Sequence, residues 1–261
     1  MTEEGLYELG LFQVLKFLLV LARVGGIFTS APVFGDVHVP PRVRVGLAVA
    51  LTFVFFPLVK CETYPQEVLP FFSLLVREAG IGLVIGFVVA MVFSAIRVAG
   101  AYVDLILGFG FANLVDPSFK ENSAVVGQLQ NLVATLLFLV TNGHHSVIKG
   151  LADSFAVIPV GEKVLLGSTV PAVTAVFAAM FGSALRIALP VVGAIFLTDV
   201  SLGILARTVP QLNVFVVGFP AKLAVALFVL AVSLPFFSGV MSHLIGGLER
   251  DIALVLKNLA M

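Results

Sequence analysis

Charge is scarce in this chain. Of 261 residues, 15 are Lys or Arg and 15 are Asp or Glu, so charged residues make up 11% and the formal net charge is zero. An average soluble chain carries about 25%. Tryptophan is absent, and Cys61 is the single cysteine. One cysteine excludes an intrachain disulfide framework and a multi-cysteine metal site. The lack of a basic run excludes the electrostatic footprint by which DNA- and RNA-reading modules hold phosphates, so no nucleic-acid partner is expected. No secretory leader is expected either. The first residues carry Glu3, Glu4 and Glu8, and no small-residue cleavage site follows the first apolar run.

Apolar surface is abundant. Hydrophobic residues are 60% of the chain, and the mean hydropathy is +1.14. So few charges cannot cover that much apolar area in water, which implies a multi-pass membrane protein. A spanning helix needs about 20 mostly apolar residues. The runs 9–34, 43–59, 71–98, 124–141, 170–198 and 213–241 predict about six spans. The fourth is open to continuing past Asn142-Gly143 as far as Val157. The fifth is open to being one bent helix or a tight hairpin, with Pro171 and Pro190 as break points. Residues 239–260 read as an amphipathic tail containing Glu249, Arg250, Asp251 and Lys257. The expected fold is all-α, with broken helices and helical hairpins. Arg42 and Arg44 after the first span favour a cytoplasmic loop there and an outside N-terminus.

Ionisable residues fall inside or beside the apolar runs, among them Arg23, Arg97, Asp104, Arg186, Asp199 and Lys222. Each would cost roughly 2.5–3.5 kcal/mol or more at a helix centre facing lipid. They must pair, face a polar interior, or lie outside hydrocarbon. Arg97 and Asp104 are seven residues apart and would share a helix face, so they are a candidate pair. Pro57, Pro171, Pro190, Pro210, Pro220 and Pro235 punctuate the runs, and a proline removes a backbone donor and clashes with the preceding turn.

The segment 108–123 stands out. Gly108 and Gly110 disfavour a regular helix. Phe109, Phe111 and Phe119 are bulky, and Asn113 and Asp116-Pro117-Ser118 are turn signals. Such backbone survives at membrane depth only when buried in protein or lining a cavity. It reads either as a movable apolar plug across a pore or as a surface loop whose phenylalanines pack on neighbours. Adjacent histidines such as His144 and His145 point about 100° apart on a helix and rarely chelate one ion, so no metal is expected. The Gly-x-Gly pairs at Gly80/Gly82 and Gly108/Gly110 lack a strand–turn–helix context, and no nucleophile elbow is present. Neither a cofactor nor enzymatic activity is expected.

Several motifs together carry a family likeness. Ala22-Arg23-Val24-Gly25-Gly26-Ile27-Phe28 precedes Ala31-Pro32-Val33-Phe34-Gly35 and Val39-Pro40-Pro41-Arg42-Val43-Arg44. The 108–123 loop follows, then Leu136-Leu137-Phe138-Leu139 and Asn142-Gly143-His144-His145. The last third holds Leu189-Pro190, Asp199, Leu202-Gly203, Arg207, Pro210-Gln211, Asn213-Val214-Phe215, Gly218-Phe219-Pro220 and Lys222. Over nearly its whole length the chain resembles the FliR family of flagellar type III export-gate proteins, whose injectisome relatives are the SctT proteins. The stretch Lys120-Glu121-Asn122 is an unusually charged version of that part of the family pattern.

The resemblance implies a subunit of a hetero-oligomeric export gate in the flagellar basal body, in the bacterial inner membrane. It implies FliP-like and FliQ-like partners, with further export-apparatus membrane proteins, unfolded flagellar proteins as cargo, and contact with lipid. Residues 1–169 would be a FliP-like part, and residues 170–261 a FliQ-like hairpin ending in an amphipathic helix. The loop 108–122 would be the lumenal plug, built on Gly108, Phe109, Gly110, Phe111, Asn113, Asp116, Pro117 and Phe119, with Phe109, Phe111 and Phe119 providing the apolar seal. Arg23, Arg97, Asp199, Arg207, Gln211, Asn213, Phe215 and Lys222 would serve assembly, with Arg23, Arg97, Asp199 and Lys222 facing sister subunits. The alternatives are an injectisome-type gate subunit and a secondary transporter of small solutes. A transporter predicts internal inverted symmetry, which the sequence does not display.

Overall fold

The computed structural model describes residues 3–35, 39–59, 67–108, 125–162, 166–209, 211 and 213–260. Among them the regular secondary structure is entirely helical. The helices are α1 (Glu3–Ser30), α2 (Pro41–Phe55), α3 (Val68–Leu107), α4 (Val125–Val140), α5 (Gly143–Val157), α6 (Leu166–Thr208) and α7 (Val214–Ala260). Pro40 is extended (φ −54°, ψ 136°), and Pro41 opens α2, where its missing N–H costs nothing. Gly108 ends α3 at φ 92°, a left-handed conformation that glycine adopts without strain. Asn142, at φ 58°, separates α4 from α5, so the fourth run is two helices rather than one continuous span.

The span count differs from the sequence expectation. Gly10–Ser30, Val68–Leu107, Thr169–Thr208 and Val216–Ala260 are long and apolar enough to cross a membrane, which makes four, or five if α4 and α5 together form one broken span. Two causes account for the difference from six. At 15 residues α2 is too short, and α4 at 16 residues reaches the length only together with α5; the amphipathic tail, not among the six, is continuous with the run before it in the 47-residue α7. Pro171 and Pro190 lie within α6, and Pro220 and Pro235 within α7, without ending either helix. In apolar surroundings a helix is the conformation that satisfies its own backbone, so it persists through prolines whose freed groups find local partners.

The chain divides into two compact units. One comprises Met1–Met91, Asn142–Phe177 and Gly246–Met261, the other Val92–Thr141 and Ala178–Ile245. In the first, Phe17 of α1 packs on Phe53 and Phe56 with ring centroids 5.0 and 6.1 Å apart, and the Lys16 ammonium lies 4.7 Å above the Phe56 ring. Gly26 and Gly82 set a close crossing of α1 on α3. A Cβ on Gly26 would collide with the Ala79 carbonyl, and one on Gly82 with the Arg23 carbonyl. In the second unit, Phe93 of α3 meets Phe138 of α4 edge-on at 5.4 Å, both fully buried. Each unit draws on residues from both sides of position 170.

Candidate functional site

Arg23 lies in the middle of α1 and is completely buried, and its partner Glu78 on α3 is 1% exposed. Nε donates to Glu78 Oε2 at 2.7 Å, and Nη2 lies 2.6 Å from the same oxygen as an ion-pair contact. Nη1 donates to the carbonyls of Ser154 and Ile158, both at 2.9 Å. These carbonyls belong to the last turn of α5 and the residue after it, and the Ser154 carbonyl also accepts from the Ile158 N–H at 2.9 Å. The guanidinium carbon stands 4.5 Å from the centroid of the Phe155 ring. Glu78 Oε1 accepts from the Gly161 N–H at 3.2 Å. One ion pair thus ties α1, α3 and the end of α5 together. The sequence reading expected Arg23 to face a sister subunit; its partners are in this chain.

In the second unit, Asp104 does not pair with Arg97. Its carboxylate accepts from the Val126 and Gly127 N–H groups at 3.1 and 3.0 Å, capping the first turn of α4 from α3. Opposing the positive end of a helix dipole suits a carboxylate. A Cβ on Gly100 would collide with the Gly127 Cα, so the two backbones touch where this cap forms. Arg97 is exposed and donates to Ser94 Oγ at 3.0 Å. Asp199 of α6 and Lys222 of α7, both expected at sister subunits, form an ion pair with each other. They are nearly equidistant in sequence from Gln211, a symmetry that was present in the sequence as a sign of pairing across a hairpin turn.

Arg207 is exposed in the last turn of α6, where a cation suits the negative helix end. Gln211 and Asn213 are exposed, and the Asn213 carbonyl accepts from the Val216 N–H at 3.0 Å as α7 begins. Phe215 lies in α7, with its side chain outside the description. Of the expected plug, only Gly108 falls within the described residues. Its N–H donates to the Leu105 carbonyl at 3.1 Å. Phe109, Gly110, Phe111, Asn113, Asp116, Pro117 and Phe119 lie outside them. The rings of His144 and His145 lie against each other at a tilt of 46°, with centroids 4.3 Å apart. Among the described residues, no group of three His, Cys, Asp or Glu side chains is placed to hold a metal.

Long apolar helices, several of whose charges are paired within the chain, define a class of protein: a multi-pass helical membrane protein. The likeness to known proteins is specific. Residues 14–248 match the bacterial export proteins, family 1. The flagellar biosynthetic protein FliR of Escherichia coli (strain K12) is 34% identical over 241 residues, 92% of each chain. The protein of that name from Bacillus subtilis (strain 168) is 37% identical over 219 residues, covering 83% of this chain and 85% of its own. That of Aquifex aeolicus (strain VF5) is 29% identical over 88% of this chain and 89% of its own. The chain belongs to the FliR family of bacterial export proteins.

Proposed function

We propose that this chain is a subunit of the flagellar type III protein export gate in the bacterial inner membrane, where it shapes and closes the channel and catalyses no reaction. The observation that carries this reading is a mismatch of lengths. Helices α3, α6 and α7 have 40, 43 and 47 residues. At 1.5 Å per residue they are roughly 60–70 Å long, about twice a hydrocarbon core of about 30 Å. Large apolar residues face outward on each of them, as at Leu105, Leu197 and Phe228, which are 61%, 66% and 69% exposed. One bilayer cannot cover such faces, so protein must cover part of them. A large hetero-oligomer with FliP-like and FliQ-like subunits supplies that cover.

Other features support the finer parts of the reading. The Asp199–Lys222 pair across the α6–α7 connection is what a FliQ-like hairpin at 170–261 would use. Gly108 turns the chain off α3, and Asp104 holds the first turn of α4, so the stem of the 108–122 loop is tied at both sides. An apolar stopper anchored in this way can yield to cargo and return. Large apolar side chains at a constriction exclude water and ions.

The test is to co-express the chain with its organism's FliP-like and FliQ-like proteins and weigh the detergent-solubilised product by native mass spectrometry. A single hetero-oligomer containing this chain is expected, and deleting 109–122 should then make the gate leak ions. A monodisperse particle of this chain alone, with solute uptake in vesicles, would replace the gate by the transporter.

A further inference from the structure

Arg186 sits at the middle of α6, is exposed, and has no hydrogen bond or ion pair among the described residues. Of the other charges singled out above, Arg23 is met by Glu78, Asp104 by the α4 amides and Asp199 by Lys222, while the exposed Arg97 donates to Ser94 of its own helix. At 100° per residue, Gly182, Arg186, Leu189, Gly193, Leu197 and Ile204 fall on one side of α6. All are exposed except Gly193, which is half-buried. A Cβ on either glycine would meet nothing within 4 Å, so packing inside this chain does not require them. Glycine weakens a helix relative to alanine. In apolar surroundings its use is to let a second helix backbone come close.

The possible coverings of this face are not equivalent. Lipid offers the guanidinium no counter-charge within hydrocarbon, and the apolar face continues on both sides of Arg186 over a helix about twice as long as the hydrocarbon is thick. A second copy of the same face would set Arg186 against Arg186. A carboxylate on an otherwise apolar helix matches both the charge and the open space over the glycines. We infer that this face of α6 docks a helix of a partner subunit that carries an Asp or Glu opposite Arg186, its backbone closely approaching Gly182 and Gly193. The inference rests on the export-gate reading and names one contact within it.

The experiment uses the co-expressed complex. p-Benzoylphenylalanine replacing Leu189, beside an intact Arg186, is photo-activated, and the adduct is mapped by mass spectrometry. The expected adduct is a partner-subunit helix with an acidic residue within one turn of the linked position. Arg186→Glu should lower the co-purified complex at least tenfold at an unchanged level of this chain, and Lys at the mapped acidic position should restore it. Adducts confined to lipid, to a second copy or to this chain itself would overturn the inference, as would an unchanged yield with Arg186→Glu. If the unaltered chain assembles normally while these results appear, only this contact is wrong. If the unaltered chain forms no hetero-oligomer, the gate reading fails and takes this inference with it.

Discussion

At the scale of single residues, the decisive group is Arg23. A buried guanidinium stripped of its carboxylate leaves an uncompensated charge, and breaking such pairs costs about 3–5 kcal/mol. Glu78→Ala should therefore lower the thermal midpoint of the solubilised protein sharply. Arg23→Met combined with Glu78→Leu should recover most of the loss, because apolar replacements remove the charge and its partner together. Equal losses in the single and double variants would show that packing, not charge, dominates there. The contrast is Lys149, whose 2.6 Å contact with Glu249 leaves the two side chains 60% and 42% exposed. Solvent screens such a pair, so Lys149→Ala should leave unfolding and complex yield unchanged. Both arginine and lysine were visible in the sequence as charges. Which was buried was not visible, because Glu78 and the Ser154 and Ile158 carbonyls reach Arg23 only through tertiary packing.

At the scale of elements, glycines and one carboxylate set the helix spacings. Gly82→Ala should cost about 1–3 kcal/mol by forcing α1 off α3, whereas Gly46→Ala in α2, with nothing within 4 Å of the new methyl, should be neutral or slightly stabilising. Thermal unfolding of the two variants side by side checks this. Asp104→Ala removes the acceptor of two α4 amides, and loss of a cap costs about 0.5–2 kcal/mol. Faster hydrogen exchange at Val126 and Gly127 than at mid-α4 amides is the expected sign. Helix content was legible in the sequence from the apolar runs alone. Helix ends were less so: Pro171 and Pro190 were read as break points, yet α6 runs through both. Arg97 and Asp104 were a candidate pair by helical periodicity, yet Asp104 accepts from the open amides of a neighbouring helix instead.

For the whole molecule, apolar composition pointed to membrane and partner surfaces, and the family motifs narrowed the function. Neither could tell charges that close the chain on itself from charges that face outward. If the Asp199–Lys222 pair shapes the α6–α7 hairpin for assembly, Asp199→Lys and Lys222→Asp should each lower complex yield, and the double swap should restore it. Failure of the swap to restore would place those side chains against other subunits. Arg186 belongs to the opposite category, and its effect should appear in complex yield and not in the amount of the chain itself.

The Arg23–Glu78 pair also constrains how the protein is made. Glu78 follows Arg23 by 55 residues and Ser154 by 131. At about 5–20 residues per second, a ribosome needs roughly 3–11 s to deliver the carboxylate after the guanidinium. During that interval the first helix carries a cation without its carboxylate, which costs roughly 2.5–3.5 kcal/mol or more at a helix centre facing lipid. Arrival of α3 should therefore stabilise α1 in the membrane, and a nascent chain stalled between the two should be degraded faster than the finished protein in a pulse-chase.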